Sequence, residues 1–87
     1  MSTADLPPRL KRIFWRAHHR GMRELDMLIG GFAEARLATM TPQEIDQFEA
    51  LLEVPDPDML SWLTGMAPVP AEFDTPLFRA LQTSQQQ

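Results

Sequence analysis

PRLKRIFWRAHHRGMRELDMLIGGFAEARLA, residues 8–38, decides the fold of this chain. Leu10, Ile13, Phe14 and Ala17 recur at i, i+3, i+4 and i+7, which lays one apolar stripe along a helix over residues 8–18. Gly21 interrupts that pattern. A second helix follows over Met22 to Ala38, with Leu25, Leu28, Ile29 and Phe32 on its inner face. Gly30-Gly31 in its middle costs about 1 kcal/mol per glycine relative to alanine. That cost predicts the close approach of a neighbouring helix, since no phosphate-loop spacing surrounds the pair.

Downstream, each periodic segment again reads as helix. Thr41-Pro42-Gln43-Glu44 carries a cap, a proline suited to the first helical position and a glutamate where a capping box wants it. Ile45, Phe48, Leu51 and Leu52 supply the buried face of this third helix. Asp56-Pro57-Asp58 repeats the start signal for a short fourth helix with Met59, Leu60, Trp62 and Leu63, which Gly65 ends. Pro68 and Pro70 exclude regular helix over residues 66–73. Thr75-Pro76 opens a last short helix with Leu77, Phe78 and Leu81. No stretch alternates with period two, and no internal repeat is visible. The expectation is a single all-α domain over residues 1–87, a compact five-helix bundle whose last two helices are short. Residues 1–7 and 83–87 are expected to be frayed tails.

Composition narrows the class. The 87 residues include no cysteine, so neither a disulfide nor a thiolate-held metal can staple the chain. No apolar run approaches the roughly 18 residues that span a bilayer, and Met1 to Pro8 resembles neither a signal peptide nor a transit peptide. A cytoplasmic protein without membrane insertion is the reading. Net charge is −4, but it is unevenly spread. Arg9, Lys11, Arg12, Arg16, Arg20 and Arg23 precede Glu24 with only Asp5 opposing them, whereas Arg36 and Arg79 face the other carboxylates. A basic first helix on an acidic body suits steering toward a charged partner. Each half solvating its own outer face is the alternative. Trp15 lies off the apolar stripe, on the side shared with Lys11 and His19. It is either an interface anchor or covered by another helix.

Catalytic arrangements are missing from the sequence. Ser2 and Ser84 lie in the tails, and Ser61 sits in a short helix with no nucleophile-elbow pattern. His18 and His19 point about 100° apart on a helix and cannot clamp one metal, so they read as solvated residues. Asp56 and Asp58 fall at a helix start, where the dipole and free N–H groups account for them. No dinucleotide fingerprint or Walker loop occurs. The chain reads as a non-enzyme with no catalytic residues and no metal.

The turn between the first two helices reads Arg20-Gly21-Met22-Arg23-Glu24-Leu25-Asp26. Gly21 can adopt a positive φ and lets a foreign backbone come close. Arg20 offers a planar fork for a partner carboxylate or carbonyl pair, and Glu24 could accept partner N–H groups. Alternatively Glu24 reaches back to the N–H near Gly21 as a cap, with Arg20 pairing to Glu24 or Asp26. Together with Phe14-Trp15, Phe48, Leu51-Leu52-Glu53, Asp56-Pro57-Asp58 and Trp62-Leu63, this stretch resembles the succinate dehydrogenase FAD assembly factors. That family is called SdhE in bacteria and the flavinator in mitochondria, and its signature is Arg-Gly-x-x-Glu. The resemblance covers residues 9–65.

The resemblance implies a five-helix assembly chaperone. It would bind the flavoprotein subunit of succinate dehydrogenase, or of fumarate reductase, and promote covalent attachment of FAD to a histidine there. It implies partner-binding roles for Arg20, Gly21 and Glu24, with Trp15, Arg23 and Asp26 around them. FAD would be acted on in the partner, with no cofactor stably bound to this chain, which would be a monomer when free. A small interaction regulator such as an antitoxin is one alternative. Weak nucleic-acid binding through the basic helix is another, opposed by a pI near 4.9.

Overall fold

The computed structural model describes residues 5–84. Among them are five α-helices and no strand. The helices are α1 (Pro8–His18), α2 (Arg23–Arg36), α3 (Pro42–Leu51), α4 (Asp56–Leu63) and α5 (Pro76–Ser84). The all-α, five-helix reading holds, and α4 and α5 are the shortest. None of these helices is long and apolar enough to cross a membrane.

Helix starts follow local chemistry. Pro8, Pro42, Pro57 and Pro76 sit in first turns, where a missing N–H removes a donor that would have no intrahelical partner. Thr41 Oγ1 accepts from the Glu44 N–H at 3.1 Å while Glu44 accepts from the Thr41 N–H at 2.9 Å, so the expected capping box is complete. Thr75 Oγ1 caps α5 by accepting from the Phe78 N–H at 3.1 Å. The α4 start differs from expectation. Its cap residue is Pro55, with no side-chain cap, and the Asp56 carboxylate is directed elsewhere.

Ile13 and Ala17 of α1, Leu25, Ile29, Phe32 and Ala33 of α2, Phe48 and Leu51 of α3, Met59 and Leu63 of α4, and Leu77, Phe78 and Leu81 of α5 form one buried cluster. Leu28, expected on the inner face of α2, is only half-buried, and Ala33 takes the inward position. The second helix is also shorter than expected. Arg36 departs from α geometry, and a 3₁₀ turn over Leu37–Thr39 drives Leu37 fully into the core. Residues 66–73 are irregular except for a 3₁₀ turn at Ala71–Phe73, which places the Phe73 ring 5.4 Å from that of Trp62, tilted by 33°. The tails need correction where they are described. Leu6 is buried in the core, and Thr83 and Ser84 belong to α5. Residues 1–4 and 85–87 lie outside the described residues.

The two central glycines are not equivalent. A Cβ on Gly30 would lie 2.6 Å from His18 Cδ2, whereas a Cβ on Gly31 would meet nothing within 4 Å. The close approach predicted for the pair is therefore made at Gly30 alone, by a side chain of α1. His18 is accordingly not a solvated histidine. Its Nδ1–H donates to the Phe14 carbonyl at 2.8 Å, its ring lies 4.4 Å from that of Phe14, and its edge rests on Gly30. Gly31→Ala should raise stability by about 0.5–1 kcal/mol, the helix-propensity gain alone. Gly30→Ala earns the same gain but must displace the His18 ring, so it should come out about 1 kcal/mol less stable than the parent. Thermal unfolding checks the pair. A Gly30→Ala chain as stable as Gly31→Ala would contradict this packing.

Candidate functional site

α1 cannot continue past His19, whose φ of −132° leaves the helical region, and the chain reverses at Gly21 with φ +98°. Only glycine adopts that conformation at little cost, and Gly21 is exposed with open space where a Cβ would go. The turn has two faces. Gly21, Arg23 and Glu24 are exposed, while Asp26 is half-buried and the Arg20 side chain is only 5% exposed.

Arg20 is directed into the chain. Its Nε donates to Asp56 Oδ1 at 2.9 Å, its Nη2 lies 2.8 Å from the same oxygen, Nη1 donates to the Leu52 carbonyl at 3.2 Å and Nη2 to the Val54 carbonyl at 2.5 Å. The planar fork is thus filled by the α3–α4 connection, which it fastens to the α1–α2 turn. Neither Glu24 nor Asp26 pairs with that guanidinium, as the local reading had it. The capping reading is also corrected in detail. Asp26 Oδ1, not Glu24, accepts a backbone N–H across the turn, that of Arg20 at 2.6 Å. The cap residue of α2 is Met22, which makes no side-chain cap. Glu24 is left on the surface.

Trp15 is 60% exposed, so no helix of the described bundle covers it. The His19 ring stacks on it at 4.1 Å with planes 12° apart, and the His19 Nδ1–H donates to the Trp15 carbonyl at 2.7 Å. Trp15, Gly21, Arg23 and Glu24 thus stand exposed around the end of α1, backed by the Arg20–Asp56 fastening. Asp56 is the participant that sequence reasoning missed. At a helix start it needed no further explanation, and its partner lies 36 residues away with no periodic signature.

The charge pattern also changes on folding. Arg9 pairs with Asp46 at 2.8 Å and Glu49 at 2.7 Å, and Arg16 with Glu53 at 2.6 Å. The Glu49 hydrogen bond first, and that of Asp46 second, hold the Arg9 guanidinium above its already high ordinary pKa. One flank of the basic helix is thereby neutralised by α3 and the α3–α4 connection. Among the described residues no three histidines, aspartates or glutamates gather where a metal could be held.

The family described as "Flavinator of succinate dehydrogenase" matches residues 11–85. The chain belongs to the flavinator family. Its turn and its fastening lie within the matched span. The chain is similar to the FAD assembly factor SdhE of Acetobacter pasteurianus, with 47% identity over 77 residues, covering 88% of this chain and 71% of the relative. The FAD assembly factor SdhE of Vibrio cholerae is 45% identical over 65 residues, 75% of this chain and 71% of the relative. The mitochondrial succinate dehydrogenase assembly factor 2 of Dictyostelium discoideum is 35% identical over 72 residues, and there the chain spans about half the relative's length, 51%.

Proposed function

We propose that this flavinator-family chain is an assembly chaperone that binds the flavoprotein subunit of succinate dehydrogenase and promotes covalent attachment of FAD to it. The observation that carries the reading is the exposed Gly21-x-Arg23-Glu24 edge, held in shape from behind by Arg20, Asp26 and Asp56. A binding turn that is already ordered loses little further conformational entropy on docking. Gly21, Arg23 and Glu24 touch the partner in this reading, and Trp15 anchors beside them. Arg20 and Asp26 shape the turn. In this reading the chain supplies no catalytic group, and flavin transfer occurs on the partner. The same turn would serve the flavoprotein subunit of fumarate reductase. We place the protein in the cytoplasm, as a monomer when free. Nucleic-acid binding is the weaker reading, because Arg9, Arg16 and Arg20 are already occupied by carboxylates.

The test is co-expression of the flavoprotein subunit with and without this chain, followed by in-gel flavin fluorescence and co-purification. The expected result is a stoichiometric complex and covalent flavin that depends on the chain. Equal covalent flavin in both cultures would overturn the proposal. FAD is not held stably by this chain in our reading, and micromolar FAD affinity in equilibrium titration of the purified protein would contradict that part.

A further inference from the structure

Helix α1 sorts its cations into two sets. Arg9 and Arg16, together with Arg20 just beyond its end, are engaged by carboxylates of α3, α4 and the connection between them. Lys11 and Arg12 make no ion pair among the described residues, and both are exposed. These two stand four and three residues before Trp15, with His18 and His19 three and four residues after it. The spacing puts all four on the Trp15 flank of the helix. Lys11, Phe14, Trp15, His18, His19 and Glu34 line one surface hollow of about 610 Å³. Glu34 is the single carboxylate in that lining, and it lies 3.6 Å from His18 Nε2. The flank therefore combines an exposed aromatic, rigidified by a stacked ring, with cations that the chain's own acids leave unmatched.

We propose that the Lys11–Arg12–Trp15–His19 flank is a docking surface, and that it takes an acidic segment of the flavoprotein partner carrying an apolar or aromatic side chain. This rests on the partner assignment above and extends the Gly21–Glu24 edge along α1: Trp15 is common to both, and Lys11 and Arg12 are what this flank adds. Charge complementarity selects the occupant. Two uncompensated cations beside a large apolar face attract a carboxylate-bearing chain, while the Trp15 face gives the apolar anchor its contact. The cations act mainly on the rate of encounter and the tryptophan on the lifetime of the complex.

The experiment measures binding of the purified full-length chain to the purified flavoprotein subunit, at about 50 mM and about 200 mM salt. The paired variant Lys11→Glu/Arg12→Glu should weaken binding roughly tenfold and flatten its salt dependence. Trp15→Ala should weaken binding roughly tenfold or more at both salt concentrations. Because these side chains are exposed, unfolding temperatures should stay near the parent value, which separates docking from folding. Variants that bind like the parent, with the parent's salt dependence, overturn this surface. If Glu24→Ala still abolishes binding in that case, the chaperone reading stands alone. A parent chain that does not bind the flavoprotein subunit takes down both. A short oligothymidine that binds the parent tightly at low salt, and loses binding in Trp15→Ala, would make the occupant a nucleic acid and also overturn the proposal.

Discussion

Arg20→Ala should lower the stability of this chain by about 3 kcal/mol, the largest effect expected of any single polar substitution in it. The change leaves the Asp56 carboxylate and the Leu52 and Val54 carbonyls without the donors that satisfy them. Removing one partner of a buried ion pair costs about 3–5 kcal/mol. The lower end applies because Asp56 remains 26% exposed. At about 0.05–0.15 kcal/mol per residue, an 87-residue domain has roughly 4–13 kcal/mol in all. The unfolding temperature should therefore fall by more than about 10 °C. Arg20→Lys should recover only part of this, since one ammonium cannot fill a fork that serves three acceptors. The control is Arg16→Ala. Arg16 is as close to Glu53 as Arg20 is to Asp56, but both side chains are far more open to solvent, at 38% and 71%, so the loss should stay within about 1 kcal/mol. Thermal or urea unfolding of the three variants decides the matter, and equal losses for Arg16→Ala and Arg20→Ala would refute the distinction.

The second large effect is functional. Gly21→Arg should abolish covalent attachment of FAD to the partner while leaving most of the chain folded. Gly21 has φ +98°, so any side chain there carries a backbone penalty of about 1–2 kcal/mol. That penalty is common to Gly21→Ala and Gly21→Arg. Neither meets a clash at the Cβ, because among the described residues nothing beyond the adjoining two lies within 4 Å of that point. A comparable loss of stability with a far larger loss of flavinylation for the arginine variant would therefore report the bulk a partner meets. Glu24→Ala is the complementary change. It removes an exposed first-turn carboxylate that makes no side-chain hydrogen bond or ion pair among the described residues, so it should leave the unfolding temperature within a few degrees of the parent and still impair attachment. In-gel flavin fluorescence in cells lacking the parent copy reads both. Normal attachment by Gly21→Arg and Glu24→Ala would remove this edge from the proposed interface.

These two predictions separate roles that adjacent residues in one motif cannot reveal by themselves. Arg20 and Gly21 are neighbours in sequence, yet one side chain is sealed beneath the turn and the other residue lies at its tip. An arginine substitution at residue 21 and an alanine at residue 20 could both abolish activity, and only stability measurements distinguish a lost surface from a lost fastening.

Much of the architecture was legible in the sequence, because the information that makes helices is short-range. The i, i+3, i+4 spacing of Leu10, Ile13, Phe14 and Ala17, the Thr41–Glu44 capping box, and glycines at 21 and 65 with positive φ each act within about one turn of chain. That Trp15 lies off the apolar stripe was readable for the same reason, as an angle around one helix, although its exposure, which depends on whether another helix covers it, was not. What only the tertiary structure decided is the set of pairings between elements. Arg20 reaches Asp56 across 36 residues, Arg9 and Arg16 reach α3 and its following loop across 37 to 40, and the His18 ring settles on Gly30 rather than in solvent. These depend on how helices cross and on which side chains the crossing desolvates, and no periodicity along one helix encodes either. The sequence left the Arg20 guanidinium open to a partner or to its own chain, and in the folded chain it is buried against Asp56 and the Leu52 and Val54 carbonyls.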